Sequence, residues 1–467
     1  MSKSNSKDQS FFNRIPHAVT LLFGIIILVT LMTYILPAGT YERVLVDGRS
    51  TVVPNSYKTI PATPIGLLDM FKAIPLGFKA AVEIIFVVFA GGIMFGFMEK
   101  SKAVENAVGT LVKNLGLKHK HLIIVIMTFI YGFLGLAVGY ENNIAMVPIA
   151  AVLSLALGGD LILAAGISIG AMTIGFGLSP INPYTVGTGH KIAELPLFSG
   201  ALLRSVLCLV ALCIMAFYNV KYFKKVSINP EKSLGRGLDT SELTLSKPLQ
   251  GYRMSGNNWM VISLFIAGLL TIIYGVFNLN WYINELSAVF LIIALLCGLV
   301  SRMSATNMSE TVLRAVALSA PGGFMVGYAT SIKVLMEMGN IGDTISYQLS
   351  IWLEGLPLYA SAICMSISQS AINFFIPSGS GQALATLPVM LPLGESLGLT
   401  RQISILAFQI GDGISNLVNP TLGGLIAMLS MCRVPIDRWI RFIFPVLISV
   451  LFIAFLALIF AVAINYS

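Results

Sequence analysis

The sequence predicts an all-α polytopic membrane protein built as two inverted repeats, each with a re-entrant helical hairpin and a broken transmembrane helix. Three observations predict it. Of 467 residues, 56% are apolar and only 11% charged, with a mean hydropathy of +0.86, whereas a soluble domain carries about 25% charged residues. The apolar residues form continuous runs close to the ~17–25 residues of a bilayer-spanning helix, not the alternating pattern of a membrane barrel. The runs also recur in the same order in the two halves, interrupted at matching places by small polar residues and proline.

This composition excludes a soluble enzyme, a disordered chain and a disulfide scaffold. The five cysteines lie in or beside apolar runs with no C-x-x-C spacing, which argues against metal or disulfide roles. The excess of 29 Lys/Arg over 21 Asp/Glu sits between the apolar runs. It is read as a topology signal, and no nucleic-acid partner is expected.

The first half reads as follows. The polar start Met1–Pro16 carries Lys3, Lys7 and Arg14. The first span, His17–Leu36, is too long for a signal-peptide core and has no small-residue cleavage site, so it is expected to be retained. A polar loop, Ala38–Ala62, and a short amphipathic piece at Leu67–Ile74 lead to a span at Ala80–Met98 and the lysine-rich stretch Glu99–Lys120. Two short runs, His121–Val138 and Ile144–Leu157, meet at Gly139-Tyr-Glu-Asn-Asn143. Each is marginal for spanning, as the arms of a re-entrant hairpin are. Leu161–Leu178 then runs into Ser179-Pro-Ile-Asn-Pro183, and Phe198–Tyr218 closes a first repeat over residues 1–220.

A basic loop over Asn219–Asn257 marks the middle of the chain, with residues 221–257 as a cytoplasmic linker. The second repeat, residues 258–467, has one span more than the first. It opens with Trp259–Val276, Glu285–Val300 and Val312–Leu335. Leu358–Ile376 and Ala383–Leu397 meet at Pro377-Ser-Gly-Ser-Gly-Gln382, Ile403–Ile414 breaks at Ser415-Asn-Leu-Val-Asn-Pro420, and Phe442–Ala463 is the last span.

Charge orients this layout. With the N-terminus inside and each hairpin returning to the side it entered, the inside segments hold 19 of the 29 Lys/Arg and the outside segments 7. That bias places the C-terminus outside. Arg204, Arg314 and Lys333 fall near span ends, where long basic side chains reach for the interface.

Three matches carry the repeat: Gly91-Gly-Ile-Met-Phe-Gly96 with Gly322-Gly-Phe-Met-Val-Gly327, Ala145-Met-Val-Pro148 with Ala385-Thr-Leu-Pro388, and Ser179…Asn182-Pro183 with Ser415…Asn419-Pro420, at offsets of 231 to 240. Inverted repeats with helices broken at midplane are the architecture of secondary transporters. No GxxxxGK[ST] motif is present, which argues against ATP-driven transport by this chain.

The chemistry is expected at the interruptions. Inside a bilayer an unpaired backbone group costs several kcal/mol, so non-helical backbone survives there only when buried in protein or lining a polar cavity. Carbonyls freed at a helix C-end suit Na⁺, and N–H groups at a helix N-end suit a carboxylate. The candidates are Glu141, Asn142, Asn143, Ser179, Asn182 and Thr185 in the first half. In the second they are Ser378, Ser380, Gln382, Asp412, Ser415, Asn416, Asn419 and Thr421. Pro180, Pro183, Pro377 and Pro420 remove donors and fix the breaks. Glu141 and Asp412 are the charged members, and a buried acid is paired, protonated or bound to a cation.

Outside the candidate set, Asp160, Glu395 and Arg401 read as caps or anchors at hairpin bases, Glu83 as a boundary residue, and His190 as solvent-facing, with a proton relay as the lesser reading. No catalytic residue and no cofactor beyond a coupling Na⁺ or H⁺ is expected. The alternative to a transporter is a passive channel, which would show a continuous polar stripe rather than midplane knots. An intramembrane enzyme would need a nucleophile–base pair or metal set, which the four scattered histidines do not supply.

A hairpin with a polar tip followed by a span broken at Ser/Asn/Pro, once per half, resembles the ion transporter superfamily. Ser378-Gly379-Ser380, ten residues before Pro388, is similar to the Ser-Asn-Thr tip of dicarboxylate/sodium symporters. More closely, Gly139-Tyr-Glu141 and Ile372-Asn-Phe-Phe-Ile-Pro-Ser-Gly-Ser-Gly-Gln382 resemble the DcuC/YfcC-type carriers, over nearly the whole chain. The first tip differs in one respect: it reads Glu141-Asn142, where the amino-acid antiporter members often carry paired glutamates. The resemblance implies a carrier of C4-dicarboxylates, other short carboxylates or amino acids in the cell membrane. It also implies a domain of hairpins and broken helices moving elevator-fashion against a scaffold, in a homodimer.

Overall fold

A computed structural model of the chain describes residues 18–46, 49–53, 56–115, 119–138, 140–241, 243, 249–279, 281, 283–353 and 356–467. The polar N-terminal start and Gly139 of the first tip lie outside the described residues, as do the side chains of Glu141 and Asn142.

The fold is all-α apart from two small ladders. In chain order the helices are α1 (Ala18–Ile35), α2 (Leu67–Ala80), α3 (Val82–Lys100), α4 (Ala103–Leu115), α5 (Lys120–Val138), α6 (Val147–Leu157), α7 (Leu161–Ala165), α8 (Ala171–Gly177), α9 (Thr188–Ile192) and α10 (Ala201–Ile228). After the central loop come α11 (Gly256–Asn278), α12 (Ile283–Val300), α13 (Ala305–Met338), α14 (Gly342–Leu353), α15 (Leu358–Phe375), α16 (Gly379–Ser396), α17 (Arg401–Ser415), α18 (Gly423–Met431) and α19 (Ile436–Ala463). Four of these, α3, α10, α12 and α19, are long and apolar enough on their own to cross a bilayer. α7 and α8 join through a π-helical turn, Gly166–Gly170, into one element. Five helices open on side-chain caps legible in sequence: Asp160, Ser255, Ser304, Ser378 and Thr400 each accept a backbone N–H of the first turn.

Two groups of helices pack around two glycine-mediated crossings. In the first group α3 crosses α13, with α12 on α3 and α2 on α13. Gly92 faces Ser319, and a Cβ on Gly96 would meet the Ala315 methyl at 3.0 Å. In the second group α5 packs on α8 and α15 on α17, and α8 and α17 cross each other. Small residues are what let helix backbones approach this closely when apolar burial alone gives no advantage over lipid. Between the groups, α18 packs on α13, and the 3₁₀ turn Glu141–Met146 packs on α3.

Three of the departures from the sequence reading bear on the fold around the site. The loop Ala38–Ala62 contains β1 (Gly39–Thr40) paired antiparallel with β4 (Lys58–Thr59), and β2 (Arg43–Val46) paired with β3 (Arg49–Val52). The signal was present as two valine-containing runs flanking Asp47-Gly48, a hairpin dipeptide. The amphipathic piece at Leu67–Ile74 is a longer helix, α2, whose Gly77 lies against the Ser331 backbone of α13. The helix α10 runs ten residues past Tyr218, to Ile228, because Tyr222, Phe223 and Val226 bury on one side while Lys221, Lys224 and Lys225 face out.

The loops sort into two sets that touch only within themselves in the following ties. In one, Asn106 donates to Asn258 (3.0 Å), Tyr222 to Asp160 (2.7 Å), Arg433 to Asp239 (2.8 Å) and Arg438 to the Arg236 carbonyl (2.7 Å). In the other, Arg43 donates to Asp343 (2.7 Å), Thr63 to the Gly339 carbonyl (2.9 Å), Arg401 to Glu395 (2.6 Å) and Thr400 to the Tyr466 carbonyl (2.5 Å). The anchoring readings of Asp160, Glu395 and Arg401 are where these ties fall.

Candidate functional site

The two interruptions are held open by side chains that bond backbone freed at the helix ends. At the first, Asn182 donates to the Phe176 carbonyl (3.2 Å) while its Oδ1 accepts the Tyr184 (2.8 Å) and Thr185 (3.3 Å) N–H groups. Ser179 donates to the Leu136 carbonyl (3.0 Å), and Gln409 of α17 donates to the Ser179 carbonyl (2.7 Å). Asn143 donates to the Leu134 carbonyl (3.1 Å), tying the first tip to α5.

At the second, Asn373 of α15 donates to the Asp412 carbonyl (2.9 Å), Ser415 Oγ (2.7 Å) and Asn416 Oδ1 (2.7 Å). Asn419 donates to the Asn373 carbonyl (2.9 Å), and Thr421 to the Phe374 carbonyl (2.7 Å). Gln382 donates to Gln369 through both its carbonyl (2.8 Å) and Oε1 (2.7 Å), locking the second hairpin's arms together. Asn143, Ser179, Asn182, Gln382, Ser415, Asn419 and Thr421 therefore hold backbone.

A smaller group faces a cavity of about 120 Å³, lined by Tyr140, Phe176, Tyr184, Ser378, Ser380 and Asn416, with Ile84 of α3 and Ile283 of α12 opposite. The first tip, both breaks, the second tip and the α3 group thus meet at one point. Its walls are aromatic, with Tyr140 and Phe176 ring centroids 5.8 Å apart, and its polar floor is neutral. Thr185 and Asp412 stand beside the second tip: a Cβ on Gly379 would lie 2.5 Å from the Thr185 methyl and 3.4 Å from Asp412 Oδ2. The buried Thr185 hydroxyl, Asn373 Oδ1 and Gln382 Oε1 have no hydrogen-bond partner in the protein, so these oxygens remain able to bind a ligand or cation.

Ser378 also lines a second, wider cavity of about 490 Å³, together with Arg43, Lys333, Glu337 and Asp343. In it Arg43 pairs with Asp343 at 2.7 Å and Lys333 with Glu337 at 3.6 Å. At the second hairpin tip the Ser378 Oγ accepts the Gly381 N–H at 3.3 Å, and Ser378 lines both spaces.

The family model described as "C4-dicarboxylate anaerobic carrier" matches residues 15–463. The chain belongs to this family. It is therefore a multi-pass membrane transporter of a small molecule, and its site is read as a carrier's site. Among curated relatives of this family member, YfcC of Escherichia coli K12, named as a proposed basic amino acid antiporter, is 29% identical over 94% of both chains. An uncharacterized protein of Haemophilus influenzae is 26% identical over 98% of this chain and 99% of its own. Among solved structures, Neisseria gonorrhoeae MtrF, described with a class of antimetabolite efflux pumps, aligns over 96% of this chain and 95% of its own with 16% identity and a TM-score of 0.46. The Alcanivorax borkumensis YdaH transporter aligns over 97% of this chain and 99% of its own with 16% identity and a TM-score of 0.45.

Four participants escaped sequence reasoning: Asn373, Gln369, Gln409 and Arg204. A signal existed for the crossing they surround, because Gly175-x-Gly177-x-Ser179 repeats as Gly411-x-Gly413-x-Ser415 at an offset of 236. Two expectations are overturned. His190 is fully buried rather than solvent-facing, and its Nδ1 accepts the Phe198 N–H at 2.9 Å; the short α9 that carries it is covered by α16. Arg204 does not reach for the interface. It is 0% exposed, because Gln402, Gln409 and the Ser199 carbonyl satisfy its donors inside the fold.

Proposed function

We propose that the protein is a secondary active carrier of a small organic carboxylate, with a C4-dicarboxylate as the first choice, coupled to Na⁺ or H⁺ or to exchange. The observation that carries the reading is the 120 Å³ cavity where both tips and both breaks converge, with Ser378 lining both it and a wider cavity. A passive pore would need a continuous polar path, whereas the polar residues here cluster at the two tips and breaks. The N-end of α16 at that tip offers backbone N–H groups to an anion, and the neutral oxygens of Thr185, Asn373 and Gln382 suit a coupling cation.

The packing of α3 with α13, exchanged by α12 on α3 and α2 on α13, and the pairing of α5–α8 with α15–α17 support two inverted repeats. In that reading the α3/α13 group is a scaffold, the α8/α17 group moves against it as an elevator, and a homodimer fixes the scaffold. The N-terminus is cytoplasmic and the C-terminus extracytoplasmic. A second reading, an amino acid substrate, is favoured by one observation: the Asp412 carboxylate lies beside the second tip, where it would meet an ammonium group.

Uptake of succinate and of L-lysine into proteoliposomes, with and without imposed Na⁺ or proton gradients, tests the proposal. Saturable, gradient-driven succinate uptake is expected. Lysine exchange without succinate uptake would favour the second reading, and unsaturable, gradient-independent flux would favour a channel.

A further inference from the structure

Arg204 is the one Lys or Arg among the described residues that is buried. It lies in the first turn of α10, and its guanidinium bonds Gln409 Oε1 (3.0 Å), Gln402 Oε1 (2.9 Å) and the Ser199 carbonyl (2.9 Å), with the Tyr466 ring centroid at 5.7 Å. Every one of these acceptors is neutral, and among the described residues no carboxylate lies within salt-bridge distance of it. Taking a guanidinium out of water costs several kcal/mol, which a nearby acid ordinarily offsets. Glutamines satisfy the N–H groups while leaving the charge uncancelled, so its field extends into the low-dielectric interior.

The link from Arg204 to the site runs through Gln409. Gln409, held by Arg204, passes its own N–H to the Ser179 carbonyl at the first break (2.7 Å), and Asp412 follows Gln409 by one turn of α17. The cavity lining itself contains no Lys or Arg.

We propose that Arg204 is a specificity-determining and positioning residue: from behind the first break it supplies the positive potential that makes the cavity prefer anionic groups, and through Gln409 it fixes the break's backbone. The proposal deepens the carboxylate reading above and rests on it for the substrate class.

The decisive variant is Gln402→Glu. Gln402 also donates to Ser199 Oγ (2.5 Å). A glutamate would keep the Arg204 contact and accept the serine proton instead, so it cancels the charge with little change of shape. In full-length protein lacking its native cysteines, Ser378→Cys is reacted with the anionic 2-sulfonatoethyl and the cationic 2-(trimethylammonium)ethyl methanethiosulfonates, with and without Gln402→Glu. The anionic-to-cationic rate ratio should fall at least about threefold with Gln402→Glu, while the melting temperature stays level or rises. Arg204→Lys should keep most of the ratio, and Arg204→Gln should lose it.

An unchanged ratio in a folded Gln402→Glu protein would overturn the proposal and leave Arg204 a structural residue. A Gln402→Glu protein that fails to fold leaves the decision to the Arg204→Lys and Arg204→Gln pair, read the same way. The rates need no substrate, so they test the potential separately. If the ratio falls but wild-type protein takes up no succinate, the carboxylate reading fails and the potential stands.

Discussion

Gly177 and Gly413 face each other where α8 crosses α17: a Cβ on Gly177 would lie 2.7 Å from the Gly413 carbonyl carbon, and one on Gly413 would collide with the Gly177 backbone. Each is two residues before the serine at which its own break begins. The two interruptions are therefore brought together by a contact that admits no side chain. Gly413→Ala should destabilise the protein by about 1–3 kcal/mol through overpacking. Thermal unfolding in detergent checks this, with Gly24→Ala, which meets nothing within 4 Å, expected to be neutral or slightly stabilising.

Asn373 is the hub of the second break, its two amide N–H groups shared among three acceptors on α17 and the residue after it. Asn373→Ala leaves buried acceptors unsatisfied, so about 1–3 kcal/mol of stability should be lost. Asn373→Asp, which removes the donor and keeps the shape, should be no better. Melting temperature and substrate-induced thermal shift measured together check it, and unaltered values for both variants would remove Asn373 from the site.

Ser378 and Asn416 line the cavity, although Ser378 also caps α16 and Asn416 accepts from Asn373. Ser378→Ala and Asn416→Ala should fold and weaken substrate or ion binding, each lost hydrogen bond costing about 0.5–1.5 kcal/mol, several-fold in affinity. Transport kinetics with wild-type KM in both would refute their assignment.

Glu141 is the acid of the first tip in sequence. If it carries the coupling cation or meets a substrate ammonium, Glu141→Gln should cut net transport sharply at normal expression, and proton coupling would show as a flattened pH dependence. Normal transport with poor expression would make Glu141 structural and move the coupling role to Asp412 and the neutral oxygens of the breaks.

Sidedness is testable at exposed residues of the two loop sets. In protein lacking native cysteines, Lys232→Cys should react with an impermeant maleimide from the cytoplasm only and Ala62→Cys from outside only. Reaction of both from one side would contradict the charge-derived orientation.

The sequence by itself determined the class of the protein and the positions of the spans and breaks, and it set an expectation for the sidedness. Each of these follows from local composition: apolar run length against bilayer thickness, proline and small polar residues where a helix cannot continue, and lysine and arginine between runs. Membership of the family was legible for the same reason, in the contiguous run from Ile372 to Gln382. The tertiary structure decided which candidate oxygens face a cavity and which tie backbone. It brought Thr185 to Gly379 across nearly two hundred residues of chain, buried His190, and turned Arg204 from an expected surface anchor into an interior charge. Those outcomes depend on what packs against each side chain. A buried arginine held by glutamines and an interfacial arginine have the same local sequence, and only the crossing of α8 with α17 and its cover by α10 distinguishes them.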